Sequence, residues 1–372
     1  MRTINYKIFK KKNYLILDFL FTQKINFQIL NNNYNIIKSP SKTINLNFFI
    51  KIFFSKKLLR IFANDSLRVA YYASSIATLQ PLSVITANDN SLDFYKLKKY
   101  FPNVKFLSIQ NSIRRKLTDF FGNPEINKGH LSCDTFFLLG DCYRNIYKKY
   151  IKSKFITLGS VQNNFITTRN AKVEKNTLAY ISQFDYDSEG KFINHYGIKK
   201  IEYKKVYTNH QIFLLNLIHK YCEIKKIKFY IISRTTNSKE EIFYKNLKFL
   251  KHYKYFKSCD INKKIQFLSK CEVITTQMST LAYEMLARGK KVAFFSPRDY
   301  FGLNDRRFGW PEKIRINGKF YTSNTNDKNV NKILNYLFKN NSTKYSQKLI
   351  KKLITYNNIS KSKKIIQSEL HN

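Results

Sequence analysis

A chain of 372 residues, 43% hydrophobic and 16% aromatic, is long and apolar enough to bury two ordinary cores, which excludes a disordered chain. Its formal charge of +43 draws it toward polyanions, anionic lipid head groups and negatively charged nucleotide-sugars alike. The excess is scattered lysine, in company with abundant Asn, Ile, Phe and Tyr, as AT-rich coding produces; without a zinc knuckle, an RRM signature or an arginine-rich block, nucleic acid is not the expected partner.

The opening MRTINYKIFKKKNYLILDFLF has a basic flank, but Asp18 interrupts its apolar part, so Lys12–Phe19 reads as a first strand and not as a signal peptide. Asn45–Phe62, NLNFFIKIFFSKKLLRIF, is basic and aromatic. A core helix with exposed lysines is preferred there over a helix lying on a membrane, because basic amphipathicity alone is a weak signal. Leu67–Leu79 is a helix stopped before Pro81, and Leu82–Ala87 a strand running into Asn88-Asp89-Asn90-Ser91. Helix Leu92–Phe101, strand Val104–Ile109, strand Asp134–Leu139, helix Cys142–Tyr150 and strand Lys154–Leu158 follow. Strands alternating with helices predict a parallel sheet with crossover helices. The polar loops after the strands then share one edge, which groups Asp89, Gln110, Asn111, Arg114 and Gly140 as candidates for one site. Taken singly, each reads as an ordinary turn residue.

Residues 1–165 thus form a first α/β domain, 166–176 a linker, 177–340 a second domain and 341–372 a closing helix and tail. The second series has strand Thr177–Ser182, helix Tyr207–Tyr221, strand Ile227–Ile232, and helices Glu240–Leu250 and Ile261–Ser269. CEVITTQMSTLAYEMLARGKKVAFFSP, Cys271–Pro297, then reads as strand, sharp turn, helix and strand. Ser279 and Thr280 stand at the helix start and Gly289 at its left-handed end. Such a helix start is where an open parallel sheet binds phosphate. Glu284 lies one turn further along the same face, placed to accept hydrogen bonds from a ribose. The plainer alternatives are a cap at Ser279 and an i,i+4 pair of Glu284 with Arg288. Helices Val330–Phe338 and Tyr345–Tyr356 close the series, and the Asn- and Lys-rich tail beyond shows no apolar face.

Five cysteines without a C-x-x-C pair argue for reduced thiols in a cytoplasm, and six scattered histidines suggest no metal site. No apolar run reaches the roughly 20 residues of a membrane span.

Taken together, the chain resembles the GT-B glycosyltransferases and, more narrowly, bacterial surface-carbohydrate (capsule or lipopolysaccharide) biosynthesis proteins. The residues behind this are Asp89-Asn90-Ser91, Ile109-Gln110-Asn111, Asp134 with Gly140, Gly159-Ser160 with Asn163-Asn164, Ser233-Arg234 and Ser279-Thr280-Leu281-Ala282-Tyr283-Glu284. The resemblance implies two Rossmann-like domains facing a cleft. A nucleotide-activated sugar would sit mainly on the second, with a glycan or lipid-linked acceptor against the first, near Gln110, Asn111 and Arg114. On that basis Ser279 and Thr280 hold phosphate, Glu284 the ribose, and the loops Ser182-Gln183 and Ser233-Arg234 line the donor pocket. No cofactor is implied beyond the nucleotide-sugar as co-substrate, and no metal, since helix N-termini and Arg or Lys can neutralise the leaving phosphate. The general base is Asp89 by preference, then Asp185 or Asp187, then His130. The chain departs from the group in lacking a Gly-rich donor loop. The expected enzyme is cytoplasmic, with an anionic inner membrane face as a candidate docking surface. A polyol-phosphate transferase, a nucleotide-sugar 2-epimerase and a non-catalytic carbohydrate-binding protein remain open beside it.

Overall fold

The computed structural model describes residues 3–17, 27–41, 43–114, 126, 131–168, 171–184, 192–193, 201–202, 207–297, 308–340 and 343–371. The chain divides into two compact units: Met1–Ser112, Pro124–Phe165 and Thr355–Asn372 in the first, Ile113–Asn123 and Ile166–Ile354 in the second.

The first unit opens with β1 (Thr3–Asn5), β2 (Tyr14–Leu17), β3 (Tyr34–Ile37) and β4 (Thr43–Asn45), where β1 pairs with β4 apart from the main sheet. Three helices follow: α1 (Leu46–Phe53), α2 (Lys56–Asn64) and α3 (Leu67–Leu79). The single helix expected across Asn45–Phe62 is in fact two. Ser55 is extended and its hydroxyl accepts from Leu58 N, so it starts a new helix where the first one ends. Ser66 caps α3 in the same way, and Gln80, left-handed at φ 49°, ends it before Pro81. Next come β5 (Ser83–Thr86), α4 (Leu92–Leu97), β6 (Lys105–Ile109), β7 (Leu131–Leu138), α5 (Arg144–Tyr147), β8 (Ile151–Thr157) and α6 (Val161–Asn164).

The main sheet runs β3-β2-β5-β6-β7-β8, all parallel. Side chains alternate across it. Ile16, Ile85, Leu107 and Phe137 gather on one face, while Tyr95 of α4 stacks on Phe136 of the other. The central strands β2, β5 and β6 are buried on both faces, whereas the edge strands β3 and β8 are not. Each such aliphatic or aromatic side chain contributes roughly 1.5–3 kcal/mol.

The second unit carries β9 (Glu174–Ile181), β10 (Phe192–Ile193), β11 (Ile201–Glu202), α7 (Asn209–Lys225), β12 (Lys228–Ile232), α8 (Ser238–Lys245), β13 (Tyr253–Phe256) and α9 (Ile261–Lys270). It continues with β14 (Cys271–Thr276), α10 (Thr280–Ala287), β15 (Lys291–Phe295), β16 (Tyr321–Thr322), α11 (Asp327–Lys339) and α12 (Lys344–Ile350). Its sheet runs β13-β12-β9-β14-β15-β16, again parallel throughout.

From Thr355 the chain rejoins the first unit and ends in α13 (Ile359–His371). The tail expected to lack an apolar face has a narrow one: Ile366 joins the core cluster of Ile16, Ile85 and Phe137, with Ile365 and Leu370 packed alongside. Polar anchors complete the seat. Ser362 receives Asn164 Nδ2 at 3.0 Å, and Glu369 accepts from Thr135 Oγ1 at 2.8 Å and pairs with Lys154. Gly159, at φ +84°, makes room for the return, since a Cβ there would lie 2.0 Å from Thr355 O. No described helix is long and apolar enough to cross a membrane.

Candidate functional site

Because the second sheet is parallel, every strand delivers its carboxyl end to the same edge, and three adjacent ends carry most of the candidates. β12 ends in Ser233-Arg234, β9 in Ser182-Gln183 and β14 in Gln277-Met278-Ser279, in that spatial order. The first two loops are tied together: Arg234 Nη1 donates to Phe184 O at 3.1 Å and to Gln183 O at 3.4 Å. Beneath them the buried carboxylate of Glu240 accepts from Arg234 N and Thr235 N, both at 2.8 Å. That grip fixes the backbone and leaves the Arg234 side chain exposed. Ser182 is buried; its hydroxyl accepts from Phe184 N at 3.1 Å and from Tyr244 O–H, whose pKa burial drives well up.

At the third strand end Ser279 holds the N-cap position of α10 with an extended backbone, yet its side chain makes no capping hydrogen bond. The simple cap expected as the plain alternative is therefore not formed. Ser279 and Thr280 are partly exposed, and none of the helix's own carbonyls lies ahead of its first N–H groups. Glu284, one turn inward, is buried at 4% exposure. Arg288 donates to Thr168 Oγ1 at 2.9 Å and to Ile166 O, which anchors the far end of the helix to the start of the unit.

Beside this helix start lies a cluster that no local motif reveals. Gln277 Nε2 donates to Tyr207 O at 3.3 Å and to His210 Nδ1 at 2.7 Å. With Nδ1 accepting, the imidazole proton sits on Nε2, 3.0 Å from Thr325 Oγ1. Burial lowers the His210 pKa to about 3, so the ring is neutral. Gln277 Oε1 is buried without a hydrogen-bond partner among the described residues. A bare buried acceptor is unfavourable by about 1–3 kcal/mol, so a donor on a ligand would be welcome there. Residues 210, 277 and 325 are too far apart in sequence to be linked by spacing.

The corresponding edge of the first sheet brings Asp89, Gln110 and Asn111 together, as the loop argument expects. Asn111 N donates to Asp89 Oδ1 at 3.2 Å and Asn111 Nδ2 to Ala87 O at 2.6 Å. Gln110 Oε1 receives Leu139 N at 3.0 Å while its Nε2 donates to Ser112 O at 3.0 Å. Asp89 is fully buried, and its other oxygen accepts from Tyr147 O–H at 2.8 Å. A carboxylate so engaged fastens two loops to α5. Arg114 is buried, and the short segment Ile113–Asn123 groups with the second unit. Asp185, Asp187 and His130 lie outside the described residues. All five cysteines are free, and among the described residues no group of three His, Cys, Asp or Glu side chains is placed to hold a metal ion.

Two parallel-sheet α/β units with this strand order make a GT-B-like protein, and solved structures of that architecture superpose over nearly the whole chain. A UDP-GlcNAc 2-epimerase from Neisseria meningitidis, bound to UDP-GlcNAc, matches with a TM-score of 0.52 at 12% identity, over 96% of this chain and 99% of that one. The Methanocaldococcus jannaschii UDP-GlcNAc 2-epimerase, in complex with UDP-GlcNAc and UDP, gives 0.54 at 10% identity over 96% and 99%. The wall teichoic acid polymerase TagF, in its H444N form with CDPG, gives 0.53 at 12% identity over 97% and 88%. Identities this low establish the fold. Residues 107–367 match the family described as "putative O-antigen biosynthesis protein", and the chain belongs to that surface-carbohydrate biosynthesis family. No curated protein matches it in sequence.

Proposed function

We propose that the protein is a glycosyltransferase that moves a sugar from a nucleotide-activated donor onto a growing surface polysaccharide or lipid-linked glycan. The observation that carries this reading is the run of three adjacent strand ends, β12-β9-β14, closing on an α10 start whose Ser279 hydroxyl is not spent on capping, with the buried Glu284 one turn behind it. The amino end of α10 and Ser279-Thr280 would hold the donor's phosphates, with Arg234 as a second, planar partner. Glu284 would accept from the ribose, and Gln277 Oε1 from another donor group of the nucleotide or sugar. Ser182 and Gln183 would floor the pocket, with the acceptor glycan against Gln110, Asn111 and Arg114. In the transfer, the acceptor hydroxyl oxygen bonds to the anomeric carbon as the bond from that carbon to the phosphate oxygen breaks. The electron pair leaves on the nucleotide, where a helix N-terminus and a guanidinium suffice to meet the charge without a metal. The hydroxyl proton goes to a carboxylate. Because Asp89 holds the Asn111 amide and the Tyr147 hydroxyl, we assign it to positioning and the base to Asp185 or Asp187, one and three residues after Phe184 in sequence.

Differential scanning fluorimetry with CMP, CDP, UDP, GDP and TDP tests the reading. One nucleotide should raise the melting temperature by mass action, and Glu284→Gln should remove that shift while the unliganded protein melts as before. A panel without any shift, or a shift that survives Glu284→Gln, overturns it. The epimerase likeness supports a second reading, a nucleotide-sugar 2-epimerase. Conversion at the sugar C2 by the protein and donor alone, followed by NMR, would establish it in place of transfer.

A further inference from the structure

Among the described residues, nine of the sixteen large hydrophobic side chains left exposed fall between Ile4 and Leu67, in one corner of the first unit. Five of them lie on the two helices that flank the break at Ser55 or at the break itself. α1 turns Phe48 and Ile52 inward, which leaves Ile50, Phe53 and Phe54 outside, Phe54 at 86% exposure. α2 buries Leu58 and Ile61 and leaves Leu59 and Phe62 exposed. β1 pairs with β4 immediately before α1, and Phe9 stacks on Phe48 with centroids 5.5 Å apart, so the exposed Ile4, Tyr6 and Ile8 adjoin the same helices.

The charge around these side chains has one sign. Residues 1–64 contain twelve Lys and Arg against a single acid, Asp18. Lys51, Lys56, Lys57 and Arg60 are exposed between the apolar positions of α1 and α2. The next acid, Asp65, is already held by Lys96, Lys99 and the Tyr100 hydroxyl. A purely apolar protein groove would leave those cations unmatched, and an acidic protein face would leave the phenyl rings in water. We propose that this corner, β1 with α1 and α2, docks onto an anionic lipid bilayer, the rings of Phe53 and Phe54 entering the interface and the lysines meeting lipid phosphates. The inference concerns a different unit from the nucleotide reading and stands or falls apart from it.

The test is co-sedimentation of the full chain with phosphatidylcholine vesicles, with and without phosphatidylglycerol. Binding should require phosphatidylglycerol and weaken with added salt. Phe53→Ser with Phe54→Ser should lower it about tenfold or more, and Lys56→Glu with Lys57→Glu by a similar factor. Ile242→Ser, an exposed apolar residue of the second unit, should leave it unchanged. As a check independent of the truncations, Phe54→Trp should shift its emission to the blue on anionic vesicles and be quenched by brominated lipid. Equal binding to neutral vesicles, retained binding in Phe53→Ser with Phe54→Ser, or a Phe54→Trp emission that does not move would overturn the proposal. So would a dimer in lipid-free solution that dissociates on Phe53→Ser with Phe54→Ser.

Discussion

The carboxyl edges of the two sheets are built from similar residues put to opposite use. Each edge closes with the same small device: Thr86 Oγ1 donates to Leu17 O at 3.2 Å in the first unit, and Thr276 Oγ1 to Ile181 O at 3.1 Å in the second. Beyond it the first edge spends its polar groups on itself. Asp89, Gln110 and Asn111 bond to each other's loops and to Tyr147 and Leu139. The second edge ties its loops through Glu240, Tyr244, Ser233 and Arg234, yet among the described residues it leaves the Ser279 hydroxyl out of the helix cap and Gln277 Oε1 without a partner. A polar loop at a strand end thus does not mark a ligand site by composition; what matters is whether its groups are already satisfied.

Acid should break the comparison most strongly. The folded pKa of His210 lies at about 3, below its ordinary 6.5, so its stabilising contribution is complete above the unfolded value and drains away as pH falls from 6.5 toward 3. At 1.36 kcal/mol per unit the whole displacement is on the order of 5 kcal/mol. Burial moves His219 in the same direction. In the first unit the lowered carboxylates Asp65, Asp141 and Glu369 begin to protonate only below their ordinary values near 4. Hydrogen exchange between about pH 6 and 4.5 should therefore show the second unit loosening first, and His210→Asn should flatten that slope.

Asp89→Ala comes next. It strands the Tyr147 hydroxyl and the Asn111 amide in the core, and should lower stability by about 3–4 kcal/mol in urea unfolding while the nucleotide-induced melting shift persists in the residual folded protein. Were Asp89→Asn instead to fold with wild-type stability and lose only transfer, Asp89 would be the base and the two edges would be alike. The smallest effect is expected at Ser279. Replacing a capping serine ordinarily costs about 1 kcal/mol, but Ser279 closes no cap, so Ser279→Ala should change stability by less than about 0.3 kcal/mol while weakening nucleotide binding.

Much of the scaffold could be read from the sequence because the central strands are buried on both faces and interrupted by polar loops. α3 falls on the expected Leu67–Leu79, and β14-α10-β15 on the expected strand, turn, helix and strand. β3 was invisible because its Tyr-Asn-Ile-Ile sits in an Asn-rich stretch and buries only alternate positions. α13 was missed because its apolar stripe rests chiefly on Ile366, and Ser362 and Glu369 supply the rest of its seat through hydrogen bonds. Of the site, Ser182, Ser233, Arg234, Ser279 and Glu284 could be placed at one edge from strand order alone. The His210–Gln277–Thr325 cluster could not, since packing and not spacing unites it.

The seat of α13 also defines how the gene could be cut. Asn357 N donates to Asn164 Oδ1 at 3.1 Å and Thr355 N to Leu139 O at 2.8 Å, so the chain leaving the first unit after Phe165 and the chain re-entering at Thr355 lie close together. Topologically, the long span Ile166–Ile354 is inserted between two pieces of the first unit, its host, with Ile113–Asn123 a second, short excursion into the other unit. Splicing Phe165 to Thr355 through a short flexible joint would ask the host to span almost no distance, which makes the basic, phenylalanine-rich lobe obtainable by itself for lipid work.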